Sequence, residues 1–209
     1  MHMKFRYLFF TSLSLFLYSC GDNASECVVA PDTSTIRLTV EMESLEEKLV
    51  SITTKDELVS LLSEYPTIRD YFFRRTEYPN DSVFINSLFT KFTNPHMDTL
   101  LIETKNRFGD APILKAQFHE AFTNLKYYYP DFTPPKIQTV LSGLDNDLYV
   151  SDSLIIVSLD FYIGPGAKYR PQMYEYLLRQ YTPENIVPSV MLLYGISDPT
   201  MPLTRTIKR

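Results

Sequence analysis

Cysteine is scarce in this chain: Cys20 and Cys27 are the only two, and no disulfide framework can be built on them. Glycine and proline are also modest, at 6 and 14 of 209 residues, which excludes collagen-like and low-complexity architectures. Basic residues are outnumbered, 20 against 25 acids, for a net charge of −5. Setting aside Lys4 and Arg6 with the N-terminal leader makes the remainder more acidic still, which argues against a nucleic-acid partner. Past the leader no run reaches about 18 apolar residues, so no membrane-spanning helix is expected. What is plentiful is apolar and aromatic material, 44% and 14% of the chain, enough for one globular domain with a true core.

The first nineteen residues read as a secretory leader: Lys4 and Arg6, then an apolar stretch from Tyr7 to Tyr18. That stretch is too short for a spanning helix, which needs about 20 residues. Leu17-Tyr18-Ser19-Cys20 has the form of a bacterial lipobox. A small residue before the cysteine lets a peptidase close on the backbone, and the thiol is a soft nucleophile that takes a diacylglycerol. Cys20 is thus the expected lipid attachment site, its acyl chains holding the protein on a membrane at about 0.8 kcal/mol per buried methylene. The organisation expected is a leader at 1–19, a lipidated flexible tether at 20–35 and a single domain at 36–209. Cys27 falls in that tether as an idle residue.

Two textures follow. From about Glu41 to Tyr129 the pattern is helical. Met42, Leu45 and Leu49 share a face. Thr54-Lys55-Asp56-Glu57 is a capping box ahead of Leu58, Leu61, Leu62 and Tyr65. Phe84, Ile85, Leu88, Phe89 and Phe92 form another amphipathic segment before Pro95, and a long helix runs from Asp110 until Pro130 stops it. After Pro134-Pro135, Lys136 to Leu141 alternates like a half-buried strand. Leu148-Tyr149-Val150 and Ser153 to Leu159 read as an antiparallel hairpin, with Ile155 to Leu159 apolar enough to be central. Helical texture returns from Pro171 to Tyr181 and from Pro183 to Tyr194. The fold class is α+β: helices, a small antiparallel sheet, then further helices.

Catalytic and metal motifs fail one by one. His119-Glu120 would need a second histidine one turn on to hold zinc, and Thr123 stands there. Asp145-Asn146-Asp147 opens like a calcium loop, but Tyr149 and Val150 take the next ligand and glycine positions, so it reads as a turn. Gly164-Pro165-Gly166 follows a strand, yet Pro165 lacks an amide and Tyr169 stands where a third glycine would be; it too is a turn. Arg74-Arg75 reads as a solvated helix end. Two features remain. Tyr127-Tyr128-Tyr129-Pro130-Asp131-Phe132 leads from helix to sheet, its rings expected in the core. Leu159-Asp160-Phe161-Tyr162-Ile163-Gly164 ends the central strand in an acid, expected to cap the segment that follows.

The order of Tyr127-Tyr128-Tyr129-Pro130, Pro135-Lys136-Ile137, Ser142-Gly143, Leu159 to Gly164, Tyr169-Arg170-Pro171 and Ile186-Val187-Pro188 with Met191 is similar to the gliding motility lipoprotein GldB family. The lipobox and the helical first half agree. The resemblance implies a lipid-anchored lipoprotein of the bacterial cell envelope, part of the machinery for surface gliding and its associated protein secretion. It implies no enzymatic activity and no cofactor beyond the acyl group on Cys20. It also implies a zincin-like topology without the catalytic motif. Partners would be the membrane and other envelope proteins, met through the acidic surface and the aromatic, helical first half. Tyr128, Tyr129, Asp160, Tyr162, Gly164 and Tyr169 are the candidate interaction or structural motif. Family members continue through a Met-Ile-Tyr-Tyr-Gly-Lys-like helix and a Trp-containing part; here Tyr194-Gly195 runs into Ile196-Ser197-Asp198-Pro199, and tryptophan is absent. A short or C-terminally truncated member is therefore expected, and loss of a covering helix would bare the sheet's apolar face. The competing functions are a membrane-tethered hydrolase of the zinc-peptidase type and an envelope lipoprotein that binds carbohydrate or nutrient. The latter predicts an exposed platform among the 15 Tyr and 14 Phe residues.

Overall fold

The computed structural model describes residues 31–197, in which a compact unit begins at Thr35. The leader, the lipobox with Cys20, Cys27 and the segment from Asp198 on lie outside the described residues.

Local signals build most of the helices. In α2 (Lys55–Glu64) the Thr54 hydroxyl accepts the Glu57 amide and Glu57 reaches back, closing the expected capping box and burying Leu58 and Leu62. Asn80 caps α3 (Asp81–Phe92), where Phe84, Leu88 and Phe92 sit one turn apart and turn inward. Pro95 does more than end α3. With Asn94 as cap it opens α4 (Pro95–Phe108), because its missing amide costs nothing at a helix start. The long helix α5 (Pro112–Tyr128) buries Leu114, Phe118 and Phe122 along one face and stops before Pro130, as expected.

The sheet departs from the sequence reading. Met42 belongs not to a helix but to the short strand β1 (Met42–Ser44), followed at once by helix α1 (Glu46–Val50). The sheet order is β1, β2 (Lys136–Val140), β4 (Leu154–Ser158), β3 (Leu148–Val150). β1 pairs with β2 in parallel, Met42 opposite Ile137, and β2 pairs with β4 in parallel, Ile137 opposite Ile155. Only β3 on β4 is antiparallel, the hairpin that the sequence predicts. The sheet is therefore mixed, since β2 reaches β4 by a crossover through the β3 hairpin arm. Being central, β2 is buried along Ile137 to Val140 and does not alternate.

Both sheet faces are covered. Ile137, Ile155 and Val157 pack with Phe118 and Phe122 of α5 and with Ile186, Val187 and Val190 of α7 (Ile186–Ser197). Val140 and Ile156 face the other way, into a core with Leu49, Leu58, Leu88, Phe92 and Leu100. Among the described residues neither face is left bare, α7 packing over one of them. Between β4 and α7 the chain is less helical than its texture predicts: a 3-10 turn at Leu159–Tyr162, one helical turn α6 (Glu175–Leu178) and a 3-10 turn at Pro183–Asn185. Among the described residues no helix is long and apolar enough to cross a membrane.

Candidate functional site

Parallel strands deliver their following loops to one edge of a sheet, and clefts form there. The loop after β2 and the longer segment after β4 meet the start of α4 at such an edge, around a cleft of about 900 Å³. Asp145 and Asp147 line one side, His96 the helix start, and Lys168, Tyr169 and Arg170 the other side.

Asp160 does not line the cleft but holds the loop that does. Its carboxylate is buried and accepts the Leu144 amide at 2.8 Å, the Ser142 amide at 3.3 Å and the Ser158 hydroxyl at 2.5 Å. Ser142 continues the chain of bonds, its hydroxyl accepting the Asp145 amide at 3.1 Å and the Asn146 amide at 3.3 Å. Burial pushes the Asp160 carboxyl above the usual range, against the pull of the Ser158 hydroxyl and the loop amides. Asp160 thus fixes the loop before β3; its side chain reaches back across the sheet end, not forward as a cap of the segment after it.

The next loop residues are tied outward. Lys91 pairs with Asp145. The Asn146 amide donates to the Phe72 carbonyl at 2.9 Å, and Asp147 accepts the Leu148 amide at 2.8 Å and the Tyr181 hydroxyl at 2.9 Å. The triplet is therefore a turn locked from several sides rather than one bonding only its own backbone. Burial, then the Asp147 charge, push the Tyr181 phenol up to about 12, so it stays a donor. The Tyr181 ring lies 5.4 Å from both Phe161 and Tyr162. Tyr162 is itself buried, and burial raises its phenol further.

On the far rim His96 meets Tyr169 edge to face at 4.7 Å, and the Lys168 ammonium stands 5.3 Å from the same ring. The Lys168 amide is held by Glu103 at 3.0 Å, and Arg170 pairs with Glu175 at 3.6 Å. Gly164, at φ +101°, starts the Pro165-Gly166 turn that brings this rim round, as the turn reading expects.

Of the expected residues only Tyr169 lines the cleft; Asp160 and Gly164 meet it at a small adjoining void, and Tyr162 packs against Tyr181. Tyr128 and Tyr129 do not line the cleft. Tyr128 is 60% exposed and Tyr127 45%, at the end of α5 and out of the core where they were expected; Tyr129 packs partly against it. His119 and Glu120 lie exposed on α5, and the Thr123 hydroxyl donates to the His119 carbonyl at 2.6 Å. Among the described residues no three His, Cys, Asp or Glu side chains are grouped to hold a metal ion. Arg74 and Arg75 are engaged, with Glu77 and Asn146 and with Asp81. Sequence reasoning missed Lys91, His96, Lys168, Arg170 and Tyr181 as site residues. The signal for them is the parallel pairing of β2 and β4, which an antiparallel reading of the sheet does not give.

The cleft presents two cations and an aromatic ring on one rim, and two carboxylates, each already paired, on the other. Neither a curated protein nor a solved structure gave a match to the chain. The family model described as "Gliding motility protein GldB" matches residues 26–207. The match takes in every strand and helix described above, and the chain belongs to the GldB gliding motility protein family.

Proposed function

We propose that the protein is a lipid-anchored, non-enzymatic component of the gliding motility and associated secretion machinery in the bacterial cell envelope. The family match over residues 26–207, starting just after the lipobox at Cys20, carries this reading. Diacylglycerol and acyl chains on Cys20 tether the domain to a membrane, and the domain acts by contact with other envelope proteins. The cleft supports the contact role: Lys168, Tyr169 and Arg170 present charge and ring surface on one rim, suited to a partner's polypeptide segment.

Two experiments test it. Radioactive palmitate should label the wild type and not Cys20→Ala; equal labelling would remove the anchor. Lys168→Glu combined with Arg170→Glu should abolish gliding while protein level and palmitate labelling stay normal. Unimpaired gliding in that double variant would remove the cleft from the reading. Stoichiometric zinc in the purified protein, lost in His119→Ala, would favour the hydrolase instead.

A further inference from the structure

The twelve residues of α7 hold no charged side chain. A helix that is apolar all round is one that gets covered on every side. Ile186, Val187 and Val190 pack on the sheet beside Phe118 and Phe122 of α5, but on the outer side Pro188 is exposed and Leu192 is 65% exposed. The two helices run side by side in the same direction. Pro183 and Glu184, just before α7, meet Ile113 and Leu114 at the start of α5. The Phe132 ring packs on both Phe122 of α5 and Tyr194 near the end of α7. Their outer sides therefore share one face of the domain, and exposed Ile113, Tyr127 and Tyr128 belong to it.

Charge separates this face from the rest. From Thr35 to Asp110, which build β1 and α1 to α4, acids outnumber bases 13 to 9; from Ala111 to Arg209 each numbers 9. Helices α1 to α4 pack on the opposite side of the sheet, so the acidic excess lies there. On and after α5, Lys115 and Lys126 stand against Glu120 and Asp131, and Arg107 pairs with Glu184 at its start. Past α7, Arg205, Lys208 and Arg209 stand against Asp198. An anionic lipid surface thus repels the helical half and not this face. Tyrosines, with an apolar body and a polar tip, suit the boundary between bilayer and water. The anchor expected at Cys20 is fifteen residues before Thr35, which keeps the domain within about 50 Å of its bilayer. We propose that the outer face of α5 and α7 lies on that bilayer, Leu192 entering the interface and Tyr127 and Tyr128 standing at headgroup level. The helical half and its acidic surface then point away from the lipid.

The test uses the full palmitate-labelled chain, with Cys27→Ser, in vesicles of phosphatidylethanolamine and phosphatidylglycerol in equal amounts. An environment-sensitive fluorophore is placed on Leu192→Cys or, as a control, on Ser87→Cys, an exposed position of α3 across the sheet. A blue-shifted emission at position 192 is expected, with about twofold or greater quenching by lipids brominated in their acyl chains, and neither at position 87. A water-like emission at position 192 would overturn the proposal. So would equal quenching at both positions, or a shielded dye that brominated lipid does not quench, which means a protein cover. Tyr128→Cys should be quenched less, at headgroup depth, and replaces Leu192→Cys should that variant fail to fold. The inference rests on the anchor at Cys20 and not on the cleft. A chain that takes no palmitate removes the anchor and this contact with it; a labelled chain with position 192 in water removes the contact alone.

Discussion

Asp160, two residues past the end of the central strand β4, holds the amide of Leu144, four residues past the end of the neighbouring strand β2, at 2.8 Å. The bond ties the two loops that form the cleft to one buried carboxylate. Removing it would leave the Leu144 amide and the Ser158 hydroxyl without this acceptor, while the Ser142 amide keeps the Ser158 oxygen at 3.0 Å.

Asp160→Ala should therefore lower unfolding free energy by about 3 kcal/mol in urea melts, and Asp160→Asn by less, because one amide oxygen still accepts. The pH dependence follows from burial raising this carboxyl's folded pKa. Such a group favours folding fully below its unfolded pKa and loses that contribution as pH rises through the folded value. The stability advantage of wild type over Asp160→Asn should shrink from acid toward neutral pH. An advantage that grows instead would contradict the assignment.

Tyr181 crosses the cleft to Asp147 at 2.9 Å, the side-chain bond that joins the α6 region to the loop before β3. Tyr181→Phe keeps the ring contacts to Phe161 and Tyr162 and removes only the donor. A cost of about 1 kcal/mol is expected. Amide exchange should speed up around α6 and hardly change in α5, which is held by Phe118 and Phe122.

Elements made by neighbours in sequence could be read from residues alone. The Thr54 box, the Phe84–Leu88–Phe92 face and the β3–β4 hairpin depend on spacings of a few positions. The strand β1 could not be read that way. It is three residues long and exists because Met42 meets Ile137, a pairing that leaves no period in the sequence. Reading Met42 with Leu45 and Leu49 as a helical face hid the parallel β1–β2 pair, and an antiparallel reading of β2 and β4 hid the reason for a cleft at the strand ends. Asp160 stands out in the sequence as an acid ending an apolar strand, and Tyr169 through the family resemblance. His96 and Lys168 do not stand out, because only the fold brings His96 beside Tyr169. Pro171 to Tyr181 misled in another way: its texture is helical, yet Tyr174 and Tyr176 are exposed and stacked at 5.8 Å beside a single helical turn.

Gly143 occupies φ +70°, and a Cβ there would lie 3.1 Å from Lys91 Cδ and 3.2 Å from Met97 Sδ. Gly143→Ala meets both a backbone penalty and the side chain whose ammonium holds Asp145. A loss of about 1–2 kcal/mol is expected, with the loop before β3 more open to proteolysis. Gly166 is the control, with no left-handed φ and nothing within 4 Å of its Cβ, so Gly166→Ala should change stability little.

Glu43 is the polar clasp of β1. It accepts the Tyr65 hydroxyl at 2.7 Å and the Gln138 amide at 3.0 Å, and pairs with Lys136 at 2.7 Å. Burial alone would raise this carboxyl, but the bonds from Lys136, Tyr65 and Gln138 outweigh it and bring the value down to about 2. A depressed folded pKa stabilises above the unfolded value, near 4.5, and the contribution is lost as pH falls toward 2. Glu43→Gln should cost about 1–3 kcal/mol at neutral pH and close to nothing near the folded pKa, so the two urea midpoints converge on acidification. Because β1 is an edge strand of three residues, the same variant should also expose the β2 edge, raising amide exchange at Ile137 and Thr139. Midpoints that stay parallel down to the acid limit would show that Glu43 acts through packing and not through its charge.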